Sequence, residues 1–117
     1  MYYEKILNFV SNISEEKNIP EKDKTELYEK IKDASERMLV FPNVVIDVKL
    51  GASEYKTQEE YDEVIRKTIR AAQELNSMYN DYYGEDLFER TPKNIVEVYD
   101  LSSQMFKEMR ERARNDK

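Results

Sequence analysis

The 117-residue chain reads as an all-α protein: a single-domain antiparallel four-helix bundle over residues 1–117, with an irregular or short helical connector between its second and third helices. Three observations predict this. Apolar residues recur at three- and four-residue spacings in four separate stretches, the pattern of helices that bury one face. Only two glycines and three prolines punctuate the chain, and they fall between those stretches or at their edges. No two stretches alternate apolar and polar residues, so no strand finds a second strand to pair with.

The first helix runs from Met1 to about Lys17, with Tyr3, Ile6, Leu7, Val10 and Ile13 on one stripe and Glu4, Lys5, Glu15 and Glu16 off it. Pro20 has no amide hydrogen to lose at a first helical position and opens the second helix. Leu27, Ile31, Ala34 and Met38 carry that helix to about Leu39. Phe41-Pro42-Asn43 is expected to interrupt it, because an interior proline removes one hydrogen bond and crowds the preceding turn. From Val44 to Leu50 two readings stay open. Ile46 to Leu50 alternates like a strand, whose free edge would pair with another chain. Val44, Val45, Val48 and Ala52 instead fit a short helix stopped by Gly51, and this reading is preferred for want of a partner strand.

Thr57-Gln58-Glu59-Glu60 is a capping box, in which the threonine oxygen accepts from the amide three residues on and the glutamate reaches back. The third helix starts there and continues to about Asn80 or Tyr82, with Tyr61, Val64, Ile65, Thr68, Ala72, Leu75 and Tyr79 as its buried stripe. Gly84 is a natural left-handed stop. Thr91 followed by Pro92 reads as the cap and first residue of a fourth helix, which holds Ile95, Val98, Tyr99, Ser102, Met105, Phe106 and Met109 and frays in the charged ERARNDK.

Composition narrows the chemistry. With 39% hydrophobic and 38% charged residues in 14.0 kDa the chain is expected to fold, not to stay disordered. There is no cysteine, hence no disulfide framework. The first residues lack a basic region followed by a long apolar one, and no run approaches the roughly 18 apolar residues of a membrane span, so a cytoplasmic protein is expected. Heavy use of Lys, Asn, Ile, Tyr and Glu fits a gene from an AT-rich genome. Histidine is absent as well, which removes the usual general base, the usual partner of a nucleophile and the usual zinc ligands. Glu60-x-x-Glu63 has the spacing of a di-iron motif without its imidazole, and Gly51 and Gly84 cannot build a phosphate loop. The expectation is a chain that is not an enzyme and uses neither metal nor cofactor. Lys107, Arg110, Arg112 and Arg114 are interleaved with Glu108, Glu111 and Asp116 and suit the end of a helix, so direct nucleic-acid binding is not expected either.

The net charge of -6 is uneven: residues 57–91 carry nine acidic against four basic side chains. Glu59, Glu60, Asp62 and Glu63 fall in the first turns of the third helix, where the positive end of the macrodipole accounts for them. Asp81, Glu85, Asp86 and Glu89 follow the end of that helix, where backbone carbonyls disfavour negative charge; only Glu89, near the start of the fourth helix, has a clear local reason. Tyr82 and Tyr83 are adjacent, as are Leu87 and Phe88, and neighbours of this kind are not expected to enter one core together, so at least one ring should face solvent. Asp81, Tyr82, Tyr83, Glu85, Asp86, Phe88 and Glu89 therefore form the candidate contact surface for a protein with a basic face: rings offer rigid apolar area and acids steer the approach.

The reading this favours is a non-catalytic acidic helical binding protein, an inhibitor or adaptor with the properties of those encoded by phages and mobile elements. Two alternatives stand beside it. In size and helical layout the chain resembles the four-helix bacteriocin immunity proteins of low-GC bacteria, without a motif to carry the likeness. The segment from Val44 to Leu50 would also suit a self-associating bundle that completes a homodimer.

Overall fold

The computed structural model describes residues 1–115 and contains four helices: α1 (Tyr2–Glu15), α2 (Glu21–Leu50), α3 (Gln58–Tyr83) and α4 (Ile95–Asn115). No strand occurs among the described residues, and Asp116 lies outside them. The all-helical four-helix bundle is thus the observed architecture. Among the described residues no helix is long and apolar enough to cross a membrane.

The second helix departs most from expectation. It does not stop at Leu39 but continues through Phe41-Pro42-Asn43 to Leu50, thirty residues in all. At about 1.5 Å per residue that nearly matches the 48 Å long axis of the molecule. A proline inside a helix costs about 3 kcal/mol, and tertiary packing offsets it: Pro42 is itself buried, and Phe41 and Val45 beside it pack against α3 and α4, each large apolar side chain contributing about 1.5–3 kcal/mol. The segment 44–50 is therefore neither connector nor strand. Gly51 ends the helix at φ 72° as expected, with its own N–H on the carbonyl of Val48 and the N–H of Ala52 on that of Asp47, a Schellman closure.

The capping box at the start of α3 is present: the Glu60 amide donates to Thr57 Oγ1 (3.1 Å), and Glu60 Oε2 accepts from the Lys56 amide (2.8 Å). The start of α4 lies three residues beyond the expected Pro92. Asn94, a stronger cap than threonine, accepts from the Glu97 amide, and Glu97 reaches back to the Lys93 amide, a second capping box that the Thr91-Pro92 reading overlooked. Pro92 is buried instead.

Two apolar clusters divide the molecule. The larger joins Ile6, Phe9 and Ile13 of α1 to Ile31, Ala34 and Met38 of α2, Ala71, Ala72, Leu75 and Tyr79 of α3, Leu87 and Phe88 of the α3–α4 connection, and Met105 of α4. Phe9, fully buried, lies outside the stripe predicted for the first helix. The smaller joins Phe41 and Val45 of α2 to Val64, Ile65 and Ile69 of α3 and Ile95, Val98 and Tyr99 of α4. Early α2 thus meets late α3 and late α4, and late α2 meets their beginnings, so α2 runs antiparallel to both. The connection after Gly84 turns back along α3, and α4 starts beside the first half of that helix. No residue of α1 belongs to the smaller cluster, so the bundle is four helices deep at one end and three at the other.

Candidate functional site

The stretch from Asp81 to Glu89 spans the last turn of α3 and the first residues of the connection, beside α1. Gly84 closes the helix at φ 75°, donating its N–H to the Asn80 carbonyl (2.7 Å). Immediately afterwards the chain is fastened to the helix it has just left. Asn76 Oδ1 accepts both the Leu87 amide (2.8 Å) and the Phe88 amide (3.1 Å), while Asn76 Nδ2 and Asn80 Nδ2 each donate to Asp86 Oδ1 at 3.2 Å. A side-chain amide bridges two otherwise unsatisfied backbone donors and orients a carboxylate at the same time. Asn76 and Asn80 were not singled out in the sequence, where an asparagine within a helix carries no signal of a loop ten residues away.

The aromatic residues pack more deeply than their adjacency implies. The ring centroids of Tyr82 and Tyr83 each lie 5.6 Å from that of Phe9, and Tyr79 joins the group at 5.4 Å. Both neighbours reach one core because α1 packs against the end of α3, where the Tyr82 and Tyr83 rings meet edge-on at 4.7 Å and both rest on Phe9. Each hydroxyl also finds α1: Tyr82 donates to Glu16 Oε2 (3.2 Å), and Tyr83 accepts from Asn12 Nδ2 (2.5 Å). Burial, then the hydrogen bond to Glu16, holds the Tyr82 phenol above its ordinary pKa. Leu87 and Phe88 are likewise both buried, Phe88 edge-on to Tyr2 at 5.2 Å. Their segment is not helical and is covered by α1 on one side while its amides hang from α3, so the alternation expected of adjacent residues fails there too. None of these rings stands free in solvent: Tyr82 and Tyr83 are half-buried and Phe88 supports the surface from below.

The carboxylates divide. Asp86 is held by amides. Asp81, Glu85 and Glu89 are exposed, and their side chains make neither a hydrogen bond nor an ion pair among the described residues. Glu89 loses the helix terminus expected to stabilise it, since α4 begins only at Ile95. Two open clefts flank the 86–89 ridge, one toward Arg90, Lys93 and Glu97, the other toward Tyr2, Lys5 and Gln104. The cations in them stay beyond ion-pair distance of the ridge. Among the described residues no three carboxylates come together closely enough to hold a metal ion.

One acid has a structural role that the sequence hid. Glu108, read as one of the acids interleaved with the basic end of α4, is only 3% exposed. Its Oε1 accepts the Tyr3 amide (2.9 Å) and its Oε2 accepts from Gln104 (2.8 Å). The first residue of α1 offers no side-chain cap, so a carboxylate from α4 caps that helix and meets the positive end of its dipole.

No family model matches the chain, and neither a curated protein nor a solved structure is found to be similar to it.

Proposed function

We propose that the chain is a non-catalytic binding protein of the cytoplasm that docks on a basic protein surface through the edge formed by residues 81–89. The observation that supports this is the set of three exposed acids, Asp81, Glu85 and Glu89, without partners on a segment fastened by Asn76 and buttressed by Leu87 and Phe88. Exposed acids without intramolecular partners add no contact to the fold, whereas on an anchored segment they attract a cationic face at little further cost in order. Asp86 sets the loop, Phe88 holds it from beneath, and Tyr82 and Tyr83 present their outer edges beside the acids. Occupation of the partner's basic face would make the protein an inhibitor or adaptor acting by steric exclusion, of the kind phages and mobile elements encode, and no nucleic acid would be contacted directly.

The test is position-specific cross-linking in the native host. A photoreactive residue in place of Glu85 should trap one protein, and the adduct should fade when Asp81 and Glu89 are replaced by lysine and when ionic strength rises. The same residue in place of Glu29, exposed on α2, should not trap it. Identical adducts from both positions would contradict the proposal.

A further inference from the structure

Among the described residues six large hydrophobic ones are exposed, and three of them, Val40 (54%), Ile46 (45%) and Leu50 (74%), lie in the second half of α2; a fourth, Val96 (65%), opens α4, which packs on that same half. The inner face of α2 is already filled there, with Phe41 and Val45 buried against α3 and α4. Asn43, Ile46 and Leu50 on its outer face are led by Leu39, which is partly buried against the larger cluster, and the four follow one another at intervals of four, three and four, the seam that two helices share when they pack side by side. A helix with apolar residues on both faces needs a neighbour on both. The other end of the bundle has that neighbour in α1, and this end does not.

We propose that a second copy of this chain supplies the missing helix, the second half of α2 packing antiparallel on its counterpart across a two-fold axis. Charge selects the direction. Glu36 and Lys49 bracket the seam, are exposed, and form no ion pair among the described residues. A parallel pairing sets like against like at both ends, whereas the antiparallel one stacks Leu39 on the partner's Leu50, sets Ile46 beside the partner's Asn43, and brings Lys49 within a turn of the partner's Glu36, twice by symmetry. This surface is separate from the acidic edge, and each can fail without the other.

Analytical ultracentrifugation over micromolar to millimolar concentration tests it. The wild type should approach twice 14.0 kDa, and Ile46→Glu/Leu50→Glu should raise the dissociation constant about tenfold or more with the helical signal kept. Glu36→Lys should weaken the dimer and Glu36→Lys/Lys49→Glu should restore it. If the acidic variant does not fold, Asn43→Cys decides: because the chain has no native cysteine, a short bismaleimide should link two copies through it and fail to link Asp33→Cys. A wild type that stays at 14.0 kDa throughout overturns the dimer; a dimer indifferent to Ile46→Glu/Leu50→Glu, or equal linking at positions 33 and 43, overturns this surface; failure of the charge exchange to restore association overturns the antiparallel pairing.

Discussion

The two acidic clusters of this chain sit at opposite ends of α3 and are built in opposite ways. At the start of the helix nearly every acid has a local task. Glu60 completes the capping box, Asp62 accepts from Gln58 (2.8 Å), and Glu63 pairs with Arg66 (2.6 Å) and more loosely with Lys67 (4.0 Å). Glu59 stands in the first turn, where the helix dipole favours it. At the other end the last turn holds no basic residue, backbone carbonyls point toward the acids, and only Asp86 is bonded. The same residue types therefore serve folding at one end and go unused by it at the other. Acids that folding leaves unused are where an outside partner is to be sought.

Several substitutions break or sharpen that contrast. The largest effect is expected at Asn76, which folding does use. Asn76→Ala leaves the Leu87 and Phe88 amides without their acceptor and frees Asp86, and should cost about 2–3 kcal/mol in urea unfolding. A cost below about 0.5 kcal/mol would mean that the loop is not fastened as described. At the start of the helix Thr57→Ala should cost about 1 kcal/mol through loss of the cap, and Gly84→Ala should cost about as much through the left-handed φ alone, since an added Cβ would meet nothing within 4 Å.

Smaller still is the pH dependence at Glu63. The hydrogen bond from Arg66, followed by the charge of Arg66, holds this carboxyl below its ordinary value. A carboxyl lowered in the folded state stabilises above its unfolded pKa and loses that contribution as pH falls through the folded one. The stability difference between wild type and Glu63→Gln should therefore be present at neutral pH and shrink below about pH 4. A difference that stays constant to pH 2 would show that the pair does not form.

Much of the fold was legible because helix periodicity and capping are local. The four stripes and the Thr57 and Glu60 box were readable, and so were the stops at Gly51 and Gly84, whose positive φ only glycine tolerates well. What escaped depended on neighbours distant in sequence. Pro42 is a helix breaker by every local rule, yet it is buried, and the packing of Phe41 and Val45 on α3 and α4 keeps the helix whole. Phe9 is the exception, since Ile6, Phe9 and Ile13 follow one another at three and four residues and its place on the buried stripe of α1 is set by local spacing. Adjacency of Tyr82 and Tyr83 suggested an exposed ring, and a crossing helix removed the reason. The charge anomaly of residues 81–89 was visible in the sequence, whereas Asn76, which holds the edge in place, was not.

The most direct measurement is the unfolding free energy of Asp81→Asn/Glu85→Gln/Glu89→Gln beside the wild type at low ionic strength, where exposed charges interact most strongly. If these acids serve something other than folding, the triple neutral variant will be as stable as the wild type to within about 0.5 kcal/mol, or more stable. A loss of more than about 1.5 kcal/mol would show that the fold needs its acidic edge, and would remove the reason to look there for a partner.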